Sequence, residues 1–202
     1  YCLVERSGER TFLSVHGIEY SFHAEYMAAF AGERFDYTYI CGLEVEETTG
    51  GELVAWLEAH PGIAGTVVYA PGPRGIEVDA DRILGMHPIL HLNEQEAQAL
   101  AGIDGSEDSV LAAAQALHAK TGNMVIVTCG ADGVLWISAD GSVHSAPSVP
   151  STVVDTIGAG DSHCGAVLTG LTLGWTEEDT MRFANQVASE VVAQEGGAYI
   201  RR

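Results

Sequence analysis

The chain has 202 residues, 47% of them hydrophobic, enough for one sizeable core and no reason by size alone to expect a second domain. Its formal net charge is −19, from 28 acidic and nine basic residues, a balance that repels nucleic acid and anionic membranes and that serves solubility. No apolar run approaches the ~18 residues of a membrane span, no signal peptide is visible in Tyr1-Cys2-Leu3-Val4, and the widely separated Cys2, Cys41, Cys129 and Cys164 favour a reducing cytoplasm over disulfides or a zinc site.

In chain order, Leu3-Val4-Glu5 and Thr11-Phe12-Leu13-Ser14-Val15, parted by Ser7-Gly8-Glu9-Arg10, predict a β-hairpin. Tyr37 to Cys41 predicts a short strand. Glu52 to His60 reads as a helix, ended by Pro61-Gly62. Thr66 to Tyr69 and Ile89 to Leu92 are apolar enough to be buried strands. Glu94 to Ala101 and Ser109 to Thr121 have helical spacing. Met124 to Thr128, Gly133 to Ser138 and Ser142 to Ser145 follow as strands, and helices over about Gly158 to Leu173 and Glu177 to Ala193 close the chain. Strands alternating with helices predict an α/β sheet.

Asp155-Thr156-Ile157-Gly158-Ala159-Gly160-Asp161 is the stretch that carries a chemistry. It follows the β-branched Val149, Val153 and Val154 and precedes a helix. Small residues there let backbone N–H groups converge on an anion, and the helix dipole adds positive potential. Asp161 sits at that positive end, ionised, where it can take a proton from an attacking hydroxyl. A glycine turn capping a helix would explain the glycines but not the two flanking aspartates. The chain has one lysine, Lys120, and no Gly-x-x-x-x-Gly-Lys before Ser or Thr, so a P-loop is excluded. Loop amides and a divalent metal are the substitute. No Gly-x-Gly-x-x-Gly opens a βαβ unit, which disfavours a nicotinamide oxidoreductase.

The segment resembles the D-T-x-G-A-G-D signature of the ribokinase-like family of sugar and nucleoside kinases. Six fixed residues in seven arise by accident on the order of once in a hundred thousand chains of this length. The resemblance implies a three-layer αβα ribokinase-like fold forming a single domain over residues 1–202, with residues 1–15 part of a β-lid. It implies ATP and Mg²⁺ as cofactors and transfer of phosphate to a hydroxymethyl group. Asp161 would be the base, and the amides of Gly158, Ala159 and Gly160 would steady the transferred phosphoryl group. Family members are about a hundred residues longer, near the upper end of single-domain size, and begin with a Gly-Gly substrate motif. The chain is therefore expected to be a C-terminal two-thirds, with its N-terminal part missing. Gly50-Gly51 lies in the wrong place to replace that motif.

Other segments resemble the family while keeping a plainer reading. Asn93-Glu94-Gln95-Glu96 matches its Asn-x-x-Glu motif, in which Asn93 would orient and Glu96 would hold Mg²⁺. The plainer reading is a capping box, and the presence of Asp161 tips the choice toward metal. Thr128-Cys129-Gly130-Ala131-Asp132-Gly133 resembles the loop beneath the nucleotide, placing Thr128, Gly130 and Gly133 at that site; alone it is a hairpin turn. Asn185 aligns with a helix bordering the adenine pocket, or is a solvated helix position. Asp155 and the carbonyl of Ile157 match a monovalent cation site, K⁺, or Asp155 caps the turn.

Four positions depart from the family or stay ambiguous. Ala70, in Ala70-Pro71-Gly72-Pro73-Arg74, replaces the usual acid, and Arg74 faces either a phosphate or solvent. His163 stands where the family usually has Phe, which puts local packing and substrate choice in question. Arg10 either closes over substrate or is a plain hairpin arginine. His87 and His91 straddle Pro88 and a strand, so they are not a helical metal pair.

The expectation is a cytoplasmic ATP-dependent kinase acting on a small-molecule sugar or nucleoside, without nucleic-acid or membrane partners. Family lids often pair, implying a homodimer through the lid. The alternatives are a catalytically silent binding module of the same fold and a vitamin kinase of the same superfold, whose members usually lack the lid hairpin.

Overall fold

The computed structural model describes residues 1–4, 10–46, 49–76, 80–103 and 109–197. Strands β1 (Cys2–Val4) and β2 (Arg10–Phe12) pair antiparallel, with Cys2 opposite Phe12 and Val4 opposite Arg10. The expected antiparallel strand pair is thus formed; residues 5–9 between the two strands, where the turn was expected, and the side chains of Arg10 and Arg74 lie outside the described residues.

The main sheet has six strands in chain order: β3 (Tyr37–Cys41), β4 (Thr66–Ala70), β5 (Ile89–Asn93), β6 (Val125–Thr128), β7 (Val134–Ile137) and β8 (Val143–Ala146). β3 to β6 run parallel, and β7 and β8 add as antiparallel hairpin strands. Parallel neighbours need crossovers, and helices supply them. α1 (Gly42–Glu46), α2 (Gly50–Ala59) and α3 (Pro61–Ala64) lie between β3 and β4. α4 (Gly72–Gly75) and α5 (Ala80–Gly85) connect β4 to β5. α6 (Glu94–Ala101) and α7 (Ser109–Thr121) connect β5 to β6. α8 (Ala159–Thr172) and α9 (Glu177–Val192) follow β8.

Side-chain alternation along the strands divides the interior into two cores. Val67 and Tyr69, Leu90 and Leu92, and Val125 and Val127 face a layer holding Leu53, Leu57, Ile83, Leu100 and Leu117 of α2, α5, α6 and α7. Val68, Ile89, Ile126 and Trp136 face Val167, Met181 and Ala184 of α8 and α9. Both faces of the sheet are therefore covered, which is why β4, β5 and β6 read as continuous apolar runs rather than alternating ones. The result is the three-layer αβα arrangement expected from the sequence.

The boundaries differ in places. α2 starts at Gly50 rather than Glu52, because the amides of Glu52 and Leu53 both bond the carbonyl of Thr49. Two 3-10 segments, Ile18–Tyr20 and Ala24–Phe30, and the short α1, α3, α4 and α5 have no counterpart in the sequence reading.

Candidate active site

The parallel strands end in one line. Cys41 pairs with Ala70, and Asn93 pairs with Thr128, so the C-terminal ends of β3 to β6 open on the same edge of the sheet. Open α/β sheets bind ligands along that edge. All four residues line a cavity of about 450 Å³ together with Tyr39, Glu46, Glu96, Asp161 and Cys164. A second cavity of about 460 Å³ is walled by the β6–β7 loop, the β8–α8 connection and α9. Thr128 and Gly160 line both cavities, so they meet at the first turn of α8.

The loop before α8 is braced from within the chain. Asp155 Oδ1 accepts the Ile157 amide at 2.9 Å, and Oδ2 accepts the Gly196 amide at 3.2 Å. The turn-capping role weighed for Asp155 is thus formed. The amides of Val154 and Asp155 both bond the carbonyl of Val192. Gly158 holds φ +75 at the N-cap of α8, and a Cβ there would lie 2.0 Å from the Gly197 carbonyl oxygen. Only glycine fits. A Cβ on Gly160, by contrast, meets nothing within 4 Å, so an anion has room to approach that main chain. The Ala159 amide reaches the Thr156 carbonyl at 3.4 Å, a long and weak bond. Asp161 is exposed in the first helical turn, facing the cavity at the strand ends.

Asn93 and Glu96 form the capping box in full: Asn93 Oδ1 accepts the Glu96 amide at 2.8 Å, and Glu96 Oε2 accepts the Asn93 amide at 3.0 Å. Glu96 still faces the same cavity as Asp161. Burial pushes its carboxyl above the ordinary range; the Asn93 amide pulls it back in part, and the charge of Asp161 adds to the rise. Three acids, Glu46, Glu96 and Asp161, in one cavity without a described lysine or arginine leave a site short of positive charge, which suits a divalent cation. Among the described residues, no three His, Cys, Asp or Glu side chains converge as a cage. A cation here would lean on phosphate and water, the usual habit of Mg²⁺.

Thr128, Gly130 and Gly133 line the second cavity. The Cys129 amide bonds the Gly133 carbonyl at 2.8 Å, closing the turn between β6 and β7, and Gly133 takes φ +99. The turn and the cavity wall are therefore one structure. Asn185 is 7% exposed and lines the same cavity, so it is not a solvated helix position. Its amide donates to the Pro147 carbonyl at 2.8 Å, and its Oδ1 lies 3.2 Å from His163 Nε2. His163 Nδ1 is 2.9 Å from His91 Nε2.

The half-buried thiol of Cys41 and the buried thiol of Cys164 are pushed up to about 12, by burial first and then by Glu44 and Asp161 respectively. They stay protonated at neutral pH and are poor nucleophiles. Burial pushes His91 down to about 3 and His163 down to about 4. Both rings are neutral when folded but titrate near 6.5 when unfolded, so their stabilisation is full above about pH 6.5 and is lost as pH falls toward 4. From pH 7 to 5.5 the loss should be on the order of 2 kcal/mol, read by urea unfolding, and the His91→Leu/His163→Phe double variant should lose distinctly less.

Several lining residues escaped the sequence reading. Tyr39, Cys41 and Glu46 belong to the strand-end cavity because β3 lies beside β4, an order that no local pattern reveals. Val149, Pro150, Val153, Ala188 and Val192 form an apolar wall of the second cavity. The valine–proline cluster before the glycine loop was the available signal.

The chain is 35% identical over 198 residues to an uncharacterized sugar kinase of Escherichia coli (strain K12), covering 96% of this chain and 61% of that protein. It thus spans about three fifths of that relative's length. Its fold superposes on ribokinase from Thermotoga maritima with a TM-score of 0.78 at 24% identity, covering 97% of this chain and 63% of that one. Fructokinase from Vibrio cholerae O395, solved in a fructose-, ADP- and calcium-bound form, gives 0.77 at 19% identity, covering 97% and 68%. These similarities at the level of fold accompany a match over residues 1–201 to the pfkB family carbohydrate kinases, and the chain belongs to that family.

Proposed function

We propose that the protein is an ATP-dependent kinase that phosphorylates a hydroxymethyl group of a sugar or nucleoside, with Asp161 as general base. The observation that carries this reading is the meeting of the two cavities at Gly160, one residue before a carboxylate in the first turn of α8. The apolar cavity behind Thr128, Gly130, Gly133 and Asn185 takes the nucleotide, and the strand-end cavity takes the acceptor. Asp161 removes the hydroxyl proton as the oxygen attacks. The amides of Gly158, Ala159 and Gly160 offer their positive ends to the transferred group. Bound Mg²⁺, held by Glu96 with Asn93 orienting it, supplies charge neutralisation to the phosphates. Asp155 and the Ile157 carbonyl flank the loop where K⁺ would sit. The β1–β2 hairpin serves as part of a lid over the single domain, and exposed Leu3, Leu13 and Val15 give it apolar surface for closing or for pairing with a second copy.

The acceptor is uncharged rather than already phosphorylated. Among the described residues, the acceptor cavity brings Glu46, Glu96 and Asp161 but no lysine or arginine. From the described side chains a sugar phosphate would meet carboxylate repulsion and no counter-cation there. A coupled ADP-release assay on the full-length protein, over a panel of sugars, nucleosides and sugar phosphates, tests the reading. Turnover confined to unphosphorylated polyols supports it. Mg-ATP binding without turnover on any acceptor would leave a catalytically silent module instead.

The metal role separates cleanly from the cap. Glu96→Gln retains an oxygen able to accept the Asn93 amide, so the capping box survives. The variant should keep its melting temperature while needing several-fold more Mg²⁺ for half-maximal rate. An unchanged Mg²⁺ titration would reduce Glu96 to a helix cap.

A further inference from the structure

Three buried side chains run from one cavity to the other. Asn185 of α9 and His163 of α8 line the nucleotide-side cavity, and His91 of β5 lines the acceptor-side cavity. They are 7%, 2% and 5% exposed. The His91 and His163 ring centroids are 5.1 Å apart. The chain joins elements far apart in sequence, and each histidine lies two residues from a proposed site residue: His163 from Asp161, His91 from Asn93.

Donor and acceptor chemistry permits one proton order along it. The Asn185 amide nitrogen is fixed by the main-chain carbonyls of Pro147, at 2.8 Å, and Ala146, at 3.4 Å. Its Oδ1 therefore faces His163 Nε2, which must carry the hydrogen, since an amide oxygen only accepts. A neutral His163 then has a lone pair on Nδ1, and His91 Nε2 must donate to it. Each ring is locked as the Nε2–H tautomer. Burial keeps both rings neutral, so the order holds across the physiological range.

We infer that His91, His163 and Asn185 act as a positioning chain, a hydrogen-bonded tie of fixed polarity that holds the first turn of α8, and with it Asp161, in register with β5 and the nucleotide wall. An ordinary core would fill position 163 with an apolar ring. A buried polar tie costs desolvation at each member and repays it only when all partners are present, so it specifies geometry more than it adds stability. Its effect on rate rests on the kinase reading; its proton order does not.

Two measurements on the full-length protein test it. Long-range ¹H–¹⁵N NMR of ¹⁵N-histidine protein should show His91 and His163 as Nε2–H tautomers, unchanged from pH 6 to 8. An Nδ1–H tautomer or an imidazolium at either position overturns the chain whether or not the enzyme turns over. Kinetically, His163→Phe should lower kcat roughly tenfold or more with KM for ATP moved less than about threefold, because orientation rather than affinity is lost. His163→Gln, which keeps one donor and one acceptor, should recover part of that kcat. Wild-type kcat in the Phe variant, or equal impairment in Phe and Gln, refutes the positioning role. If the wild-type protein phosphorylates nothing, the kinase reading fails while the tautomers still decide the chain; if the Phe variant does not fold, the NMR result again decides.

Discussion

Asp161→Asn in the full-length protein should lower kcat by ~10²–10⁴ while leaving the affinity for Mg-ATP nearly unchanged. The side chain is exposed at the start of α8 and faces the acceptor cavity, so the change removes a proton acceptor without disturbing a packed region. Asn preserves size and helix-start preference, which keeps the loop amides where they are. The rate loss should also resist rescue by higher acceptor concentration, since the missing interaction exists only as the proton moves. Steady-state kinetics beside calorimetric titration with a nucleotide check both halves. Near-normal kcat with any accepted substrate would remove Asp161 from the mechanism.

The second large effect contrasts two glycines in one loop. Gly158→Ala must place a methyl 2.0 Å from the Gly197 carbonyl oxygen at φ +75. Strain and overpacking together should cost ~2–4 kcal/mol, a fall of about 5–15 °C in melting temperature for a protein of this size, with activity lost as the loop shifts. Gly160→Ala has the opposite stability outcome. Its methyl meets nothing within 4 Å, and alanine is the better helix former by up to about 1 kcal/mol. Stability should hold or rise, yet turnover should drop at least roughly tenfold, because the methyl occupies the space proposed for the phosphoryl group. Thermal melts and kinetics on both variants suffice. A fully active Gly160→Ala enzyme would mean that no anion approaches this turn.

What could be read from the chain before folding was mostly what is local. Asn93 to Glu96 lies within one helical turn, so residue spacing alone sets its geometry; Asp155 to Asp161 was legible as a contiguous motif, although its shape also depends on Val192 and Gly196. The strands β4, β5 and β6 were legible because burial on both faces leaves them mostly apolar, His91 being the one polar side chain inside their buried stretches. The segment Ala24–Phe30 was not, since it has no buried residue and hence no periodicity to display. The helices Pro61–Ala64 and Gly72–Gly75 span barely one turn, too short for a pattern. The tie from His91 through His163 to Asn185 spans separations of 72 and 22 residues and depends on which layer each element joins. Read singly, these three residues looked unrelated: a histidine in a strand, an unusual residue after the glycine loop and an amide on the last helix. The capping box at Glu96 does not preclude the proposed metal role, because one carboxylate edge closes the box while the residue still lines the cavity.

The bracing of the glycine loop by the last residue of α9 and by residues after it bears on how such kinases can be recombined. The Asp155 carboxylate, the Gly158 turn, the Val192 carbonyl and the Gly196 amide all fall within residues 154–197 and hold one another. That stretch behaves as a self-clamped cassette. A chimaera that takes it whole from a related kinase inherits a loop of defined shape, and needs only a matching apolar underside for the sheet. A crossover inside α9 would pair one parent's loop with the other's clamp, where a single side chain at position 158 or a displaced carbonyl at 197 is enough to unseat it.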